Sequence, residues 1–436
     1  MSKIVSLALG LVIVLSGAAS AATTYYVDPA KGASGGDGSE ARPWKTLAEV
    51  VDGGRFHKVK AGDTVLLGTG YHGAVSISGK NADFITIAGG PGQAPTLSRL
   101  EVNGTKWRIK GLTVSPSLGD KPYEDSIITY AEGGESSEII VEDCFVYTEL
   151  DSSQWDAAKW KKVNNGITMG RNGKGHVMRN NYILNTRFAI NLCAEDSLCE
   201  GNVVTNFSAD GIRVTRDGQT VNYNVVKNNF VGAKDGDDNH DDGIQCFLFN
   251  KGTGTVRRVT VVGNIIINRE DDAQKWHNPL QGIGFFDGPL IDFVVTDNVV
   301  LTAMWHGVSL YEAQNCRIER NVCWSRWKDN LRPWIRLGAK GKNPPSSPNV
   351  VKDNYACSFK YDVPGAATEN NKPSTQQIMD QAMTRAHNVI CEKFGKFHPV
   401  AGYARLGMAK GKNPEPAKDA KDGKDTKPAT NPRNHP

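Results

Sequence analysis

After its first fifteen residues, this 436-residue chain has no run of ~18 uncharged apolar residues, the length a helix needs to cross a bilayer. It has no Cys-x-x-Cys pair, so the spacing of a zinc or dithiol centre is missing. It has no Lys/Arg tract interleaved with aromatics and a formal charge of only +4, which argues against nucleic acid as a partner. The consensus leucines of leucine-rich repeats are missing as well.

The start reads Met-Ser-Lys, an apolar run from Ile4 to about Leu15, then Ser-Gly-Ala-Ala-Ser-Ala. A basic start, a short hydrophobic core and Ala19-Ser20-Ala21 predict a secretory signal over 1–21, cleaved after Ala21. The mature protein is then expected outside the cytoplasm, secreted or periplasmic, as a soluble monomer. Its eight cysteines can pair in that compartment. Cys246 and Cys316 sit in apolar, strand-like runs, where buried free thiols serve equally well.

One register recurs: Asn165-Gly-Ile-Thr-Met, Phe188-Ala-Ile-Asn-Leu, Asp210-Gly-Ile-Arg-Val, Asp242-Gly-Ile-Gln-Cys, Gln281-Gly-Ile-Gly-Phe and His306-Gly-Val-Ser-Leu, extended by Trp334-Ile-Arg-Leu. The apolar anchors Ile167, Ile190, Ile212, Ile244, Ile283, Val308 and Ile335 are spaced by 23, 22, 32, 39, 25 and 27 residues. Between them recurs an asparagine before a short strand, at Asn181, Asn202, Asn229, Asn264, Asn298, Asn321 and Asn354. A minimum period of 22, β-branched strands and a stackable asparagine able to take a left-handed turn describe an all-β parallel β-helix. A sandwich or propeller would not hold one register across loops of such unequal length.

The spacing predicts coils over 22–362. Thr23-Thr-Tyr-Tyr-Val-Asp-Pro opens the stack, and Pro43-Trp-Lys-Thr-Leu-Ala-Glu-Val-Val supplies an N-terminal capping helix. Ser374 to about Cys391 has helical spacing, with Ser374 or Thr375 as N-cap, inside a C-terminal extension over 363–408. That helix is expected over the open end or back along the side. The Lys/Asp/Pro/Gly stretch over 409–436 is expected to be disordered.

Stacking aligns side chains into columns. One runs Asn165, Asp210, Asp242, Gln281, His306; a second runs Thr168, Asn191, Arg213, Gln245, Gly284, Ser309, Arg336; a third holds Thr215, Phe247, Phe286 and Tyr311. The steps into Asp242 and Gln281 carry about ten and seventeen extra residues, excesses that include Lys234–Asp241 and Glu270–Pro279. Such loops should wall a groove beside the polar columns. Within it, His240 among carboxylates suits proton transfer, and Arg213 matches a carboxylate clamp. Asp242 and Tyr311 complete the expected catalytic set. Asp210, Gln245, Arg216, Lys234, Trp276, His277 and His306 are expected to contact substrate. Asp237 and Asp241 are candidate ligands for an irregular calcium site, although no glutamate completes an EF-type loop.

At these residues the chain resembles right-handed parallel β-helix enzymes acting on polysaccharides: pectate-lyase-like lyases and mannuronan C5-epimerases. Asp238-Asn-His240-Asp241 is similar to the epimerases' Asp-Pro-His-Asp/Glu motif, with Asn239 in place of proline; the resemblance implies that this histidine moves the C5 proton. Asp210, Asp241-Asp242 and His306-Gly307 echo the polygalacturonase-type hydrolases. The expected function is therefore β-elimination on an acidic, alginate- or pectate-like polysaccharide, with epimerisation, hydrolysis and simple carbohydrate binding as alternatives.

Overall fold

The computed structural model describes residues 21–121, 123, 125–130, 136–171, 173–230, 240–246, 255–327, 331–339, 348–362 and 366–395. The predicted signal and tail lie outside them, as do Lys234 and Asp237. Every strand pairing among the described residues is parallel, joining each strand to its counterpart one coil away, as at Arg213 to Gln245. Three faces result, and the chain is a parallel β-helix.

The interior follows from strand alternation, which sends every second side chain inward. Ile128, Ile167, Ile190, Ile212, Ile244, Ile283, Val308 and Ile335 stack in direct register down the first face, each fully buried. A one-residue slip would turn that whole column to solvent, so the register is firmly set. The polar column Thr168, Asn191, Arg213, Gln245, Gly284, Ser309, Arg336 runs beside it as the spacing predicts, and continues to Lys360.

The asparagine ladder exists, with two corrections. Its members are Asn181, Asn202, Asn224, Asn264, Asn298, Asn321, Asn354 and Asn371, each amide nitrogen 2.9–3.1 Å from the next amide oxygen. Asn224, not Asn229, occupies its coil; Asn229 instead donates to Asp241 at 3.3 Å. Nor do the ladder residues take the left-handed turn. That falls one position earlier, at Asn180, Tyr223, Asp297, Arg320, Asp353 and Asn370, with φ of 51–59°, and at Gly201 and Gly263. The left-handed residue bends the chain, and the next amide then reaches along the axis.

Helix α1 (Leu47–Asp52), capped by the Thr46 hydroxyl, buries Leu47 and Val50 over the first coils. Tyr25 stacks on the buried Trp44 beside it, with centroids 5.0 Å apart. Helix α2 (Ala157–Lys162) was not foreseen; it rises from the insertion before Ile167 and is capped by Asp156. Helix α3 (Gln376–Phe394) starts at N-cap Thr375 and lies back along the third face, Met379 and Ala382 on Val299–Val322 and Ile390 on Val203–Val225. One more coil, Ala367–Glu369 and Lys372–Pro373, follows the expected limit at 362. All eight cysteines are free thiols, six of them buried, and Cys246 and Cys316 are among those six. No helix among the described residues is long and apolar enough to cross a membrane.

Candidate active site

The first face carries the expected residues, but it turns several of them inward. Strands Ile212–Val214, Asp242–Cys246, Gln281–Phe285 and His306–Tyr311 lie side by side there. Asp210 and Asp242 are fully buried. The Asp242 backbone N–H donates to Asp210 Oδ1 at 3.0 Å, and Arg213 Nε donates to Asp210 Oδ2 at 2.6 Å. Arg213, whose guanidinium also lies 3.5 Å from the Phe188 ring centroid, is therefore engaged inward and braces Asp210 instead of presenting an open fork. Asp210, expected to contact substrate, lies fully buried beneath this pairing.

His240 stands above this pair with its side chain 45% exposed, Nδ1 donating to Asp242 Oδ2 at 2.8 Å. Gln245, itself buried, donates to the same oxygen at 3.2 Å, so it orients the carboxylate and does not reach out of the face. Asp242 Oδ1 is buried with no hydrogen-bond partner among the described residues. The space it occupies depends on Gly284, where a Cβ would fall 2.0 Å from that oxygen and 2.5 Å from the Phe286 ring.

Burial, reinforced by the nearby Asp210 charge, pushes Asp242 up to about 7 against the lowering pull of His240. Burial also raises Asp210, outweighing the lowering effect of Arg213. Burial works to lower His240, but the Asp242 hydrogen bond and the charges of Asp242 and Asp210 prevail and raise it. The imidazole and the buried carboxylate thus act on each other's protonation through one short hydrogen bond, the kind of pairing general acid–base work uses.

The floor beside them is aromatic. Phe286 receives His240 at 4.8 Å, His306 at 4.9 Å and Tyr311 at 5.4 Å, all edge-on. His306 Nδ1 sits 2.8 Å from Ser309 Oγ and 3.2 Å from Trp334 Nε1. An indole N–H only donates, so Nδ1 accepts and the proton of the neutral ring is on Nε2. Burial, helped by the cations of Arg336, His240 and Lys360, pushes His306 down to about 4 and keeps it neutral. Nε2 is solvent-accessible and unbonded among the described residues.

Three insertions meet on one flank. Trp160 from α2 stacks on Phe230 at 4.4 Å and meets Trp155 at 4.7 Å, while Trp276 Nε1 donates to the Trp155 carbonyl at 3.0 Å. Trp276 thus packs, half-buried, against the Trp155–Trp160 cluster. His277, on the same loop, is exposed and donates to the Gln274 carbonyl. Arg216 is half-buried, its Nε 3.3 Å from the Cys193 carbonyl. Thr215, expected outward, is buried and donates to the Leu192 carbonyl, because the strand ends at Val214. Asp241 is buried and accepts from Asn229. Among the described residues no group of three or more His, Cys, Asp and Glu is arranged to hold a metal.

Phe286, Ser309 and Trp334 were not picked out as site residues. Phe286 and Ser309 stand in the outward columns, so their register was legible; the Trp334–His306 pairing needs the three-dimensional stack.

Fold and site define a parallel β-helix protein with a histidine–carboxylate pair on one sheet face. No protein-family profile and no curated protein matches the sequence. Among solved structures, the chain is similar to the A-module of Azotobacter vinelandii mannuronan C-5 epimerase AlgE4, at 13% identity and TM-score 0.49 over 76% of this chain and 91% of that one. It is also similar to pectate lyase Pel9A (13%, TM-score 0.39, 75% and 79%) and to the Dettilon tailspike protein (12%, TM-score 0.47, 80% and 69%).

Proposed function

We propose that this chain is an exported polysaccharide lyase that breaks an acidic, uronate-containing polymer by β-elimination, with His240 as the base. The observation that carries this is the exposed His240 ring held through Nδ1 by a fully buried, strongly shifted Asp242. A buried carboxylate on Nδ1 fixes the tautomer and leaves Nε2 to accept a proton.

His240 Nε2 takes the proton from C5, α to the uronate carboxylate. The C5–H electron pair becomes the C4–C5 double bond, and the C4–O4 bond breaks. The departing oxygen takes a proton from Tyr311. His306, neutral and donating through Nε2–H, hydrogen-bonds the carboxylate, where negative charge builds as C5 loses its proton. This division of labour rests on two imidazoles pushed in opposite directions on one face. Hydrolysis by paired carboxylates fits less well, since Asp210 and Asp242 have no exposed surface from which to flank a glycosidic bond.

The test is to incubate the protein with alginate, pectate and neutral polysaccharides, with and without chelator, following the ultraviolet absorbance of unsaturated uronate. Absorbance should rise with an acidic polymer. His240→Gln should lower the rate by about 10²–10⁴, the usual weight of a general base, while binding persists. Reducing ends without absorbance would sink elimination in favour of hydrolysis. Solvent hydrogen entering C5 without scission would instead indicate epimerisation.

A further inference from the structure

Beyond His306 the same face carries an aromatic and cationic cluster that the chemistry above leaves unused. Trp305 is one of three large hydrophobic side chains that stand exposed among the described residues, at 44%. It lies nearly parallel to Trp334, with centroids 5.8 Å apart and planes 14° apart, so Trp334 covers one face while much of the ring stays in solvent. Lys360 Nζ sits 4.0 Å from the Trp334 ring centroid, and Arg336 lies 5.5 Å from it. Arg336 is paired with Asp362, whereas Lys360 is exposed and has no carboxylate partner among the described residues. Both cations act on His306, which ties the cluster to the groove.

An exposed indole beside an unpaired ammonium is costly to leave idle. A large apolar ring in water forfeits burial, and a cation over a ring gains most when the pair is desolvated. A sugar ring offers C–H groups for the indole face, and an acidic sugar offers a carboxylate for the ammonium. Trp305 belongs to the coil of His306, two coil steps of ~4.8 Å beyond Asp242, and Lys360 belongs to a coil two steps further. A polymer lying along the stack would therefore reach this cluster with units distant from the bond being broken.

We propose that Trp305 and Lys360 form a subsite for a negatively charged sugar unit, extending the groove toward the C-terminal coils. This rests on the reading that the groove takes an acidic polysaccharide. The subsite makes the enzyme prefer long chains over short ones, with Trp305 gripping the ring and Lys360 requiring its carboxylate.

The test compares the full-length protein with Trp305→Ala and Lys360→Met on oligouronates of increasing length, measuring KM and kcat separately. Binding is measured by calorimetry in a His240→Gln background. Tyr71→Ala serves as a control, because Tyr71 is an exposed aromatic on the third face, away from the groove. For oligomers long enough to reach from His240 to Trp305, each substitution should weaken binding and raise KM on the order of tenfold, the scale of one lost aromatic or charged contact. The penalty should vanish for short oligomers, and for Lys360→Met it should also vanish on carboxyl-reduced polymer. If long acidic oligomers bind but the length dependence survives both substitutions, the subsite is refuted while the functional reading stands. If no acidic polysaccharide binds the unaltered protein, the functional reading falls and the subsite falls with it.

Discussion

Replacing Asn264 by alanine probes what holds the coils at a fixed pitch. The side chain is fully buried in the middle of the ladder. Its amide nitrogen donates to the Val221 carbonyl and to Asn298 Oδ1, both at 2.9 Å. Its oxygen accepts the Asn224 backbone N–H at 2.9 Å and the Asn224 amide at 3.0 Å. Three of the four partners keep another bond: Asn298 Oδ1 still receives the residue-264 backbone N–H, the Asn224 amide still reaches the Cys199 carbonyl, and the Val221 carbonyl stays in the strand ladder. The buried Asn224 N–H alone is left without a partner. At ~1–3 kcal/mol for that group and ~1 kcal/mol for the weakened bonds around it, the loss is about 2–4 kcal/mol. Asn371, at the last coil, makes the same kinds of bond at 2.7–3.1 Å but is only half-buried, so water can replace them and Asn371→Ala should cost about 1 kcal/mol or less. Urea unfolding measures both, and hydrogen exchange at the Asn224 amide localises the effect. Equal losses for the two variants, or undiminished Asn224 protection in Asn264→Ala, would refute the ladder as a main tie between coils.

The remaining expectations concern the site. The base must be unprotonated, so activity on the proposed substrate should rise with pH through a midpoint above the ordinary imidazole value, the direction in which His240 is shifted. Asp242→Asn removes the raising partner. The midpoint should move to lower pH while the plateau rate drops, on the order of 10⁴-fold if Asp242 fixes the tautomer as a triad aspartate does; an unmoved midpoint would detach the carboxylate from the base. Gly284→Ala drives a methyl toward Asp242 Oδ1 and Phe286, so activity should fall at least tenfold with little change in far-ultraviolet dichroism, measurable side by side; retained activity would show that the carboxylate's position does not matter.

The coil register was legible because strand alternation transmits one phase through any length of loop. Every anchor from Ile167 to Ile335 pairs as the spacing requires. The ladder was harder, since Asn224-Val-Val and Asn229-Phe-Val both look like a turn asparagine before a strand. Both follow a left-handed residue, Tyr223 and Asn228, with φ of 56° and 64°, so only the stack separates them: the Asn224 amide meets asparagines one coil away on either side, whereas that of Asn229 meets Asp241. The face of Asp210 and Asp242 was readable, but their depth was not: it depends on the neighbouring coils and on the room left by Gly284. The inward turn of Arg213 follows from that depth, because an aspartate with no exposure draws the nearest cation to itself. Helix α2 lies in an insertion ahead of Asn165, where the recurring Gly-Ile register begins, so no repeat brackets it in the sequence although Ile128 pairs with Ile167 across it.

Because each rung is fastened to the next by the same short amide link, however far the chain wanders in between, detours of ten or seventeen residues leave the pitch untouched. Floor and wall are thereby free to diverge on separate schedules. New recognition can be tried by exchanging whole excursions such as Glu270–Pro279, while the proton-handling strands beneath them stay in place.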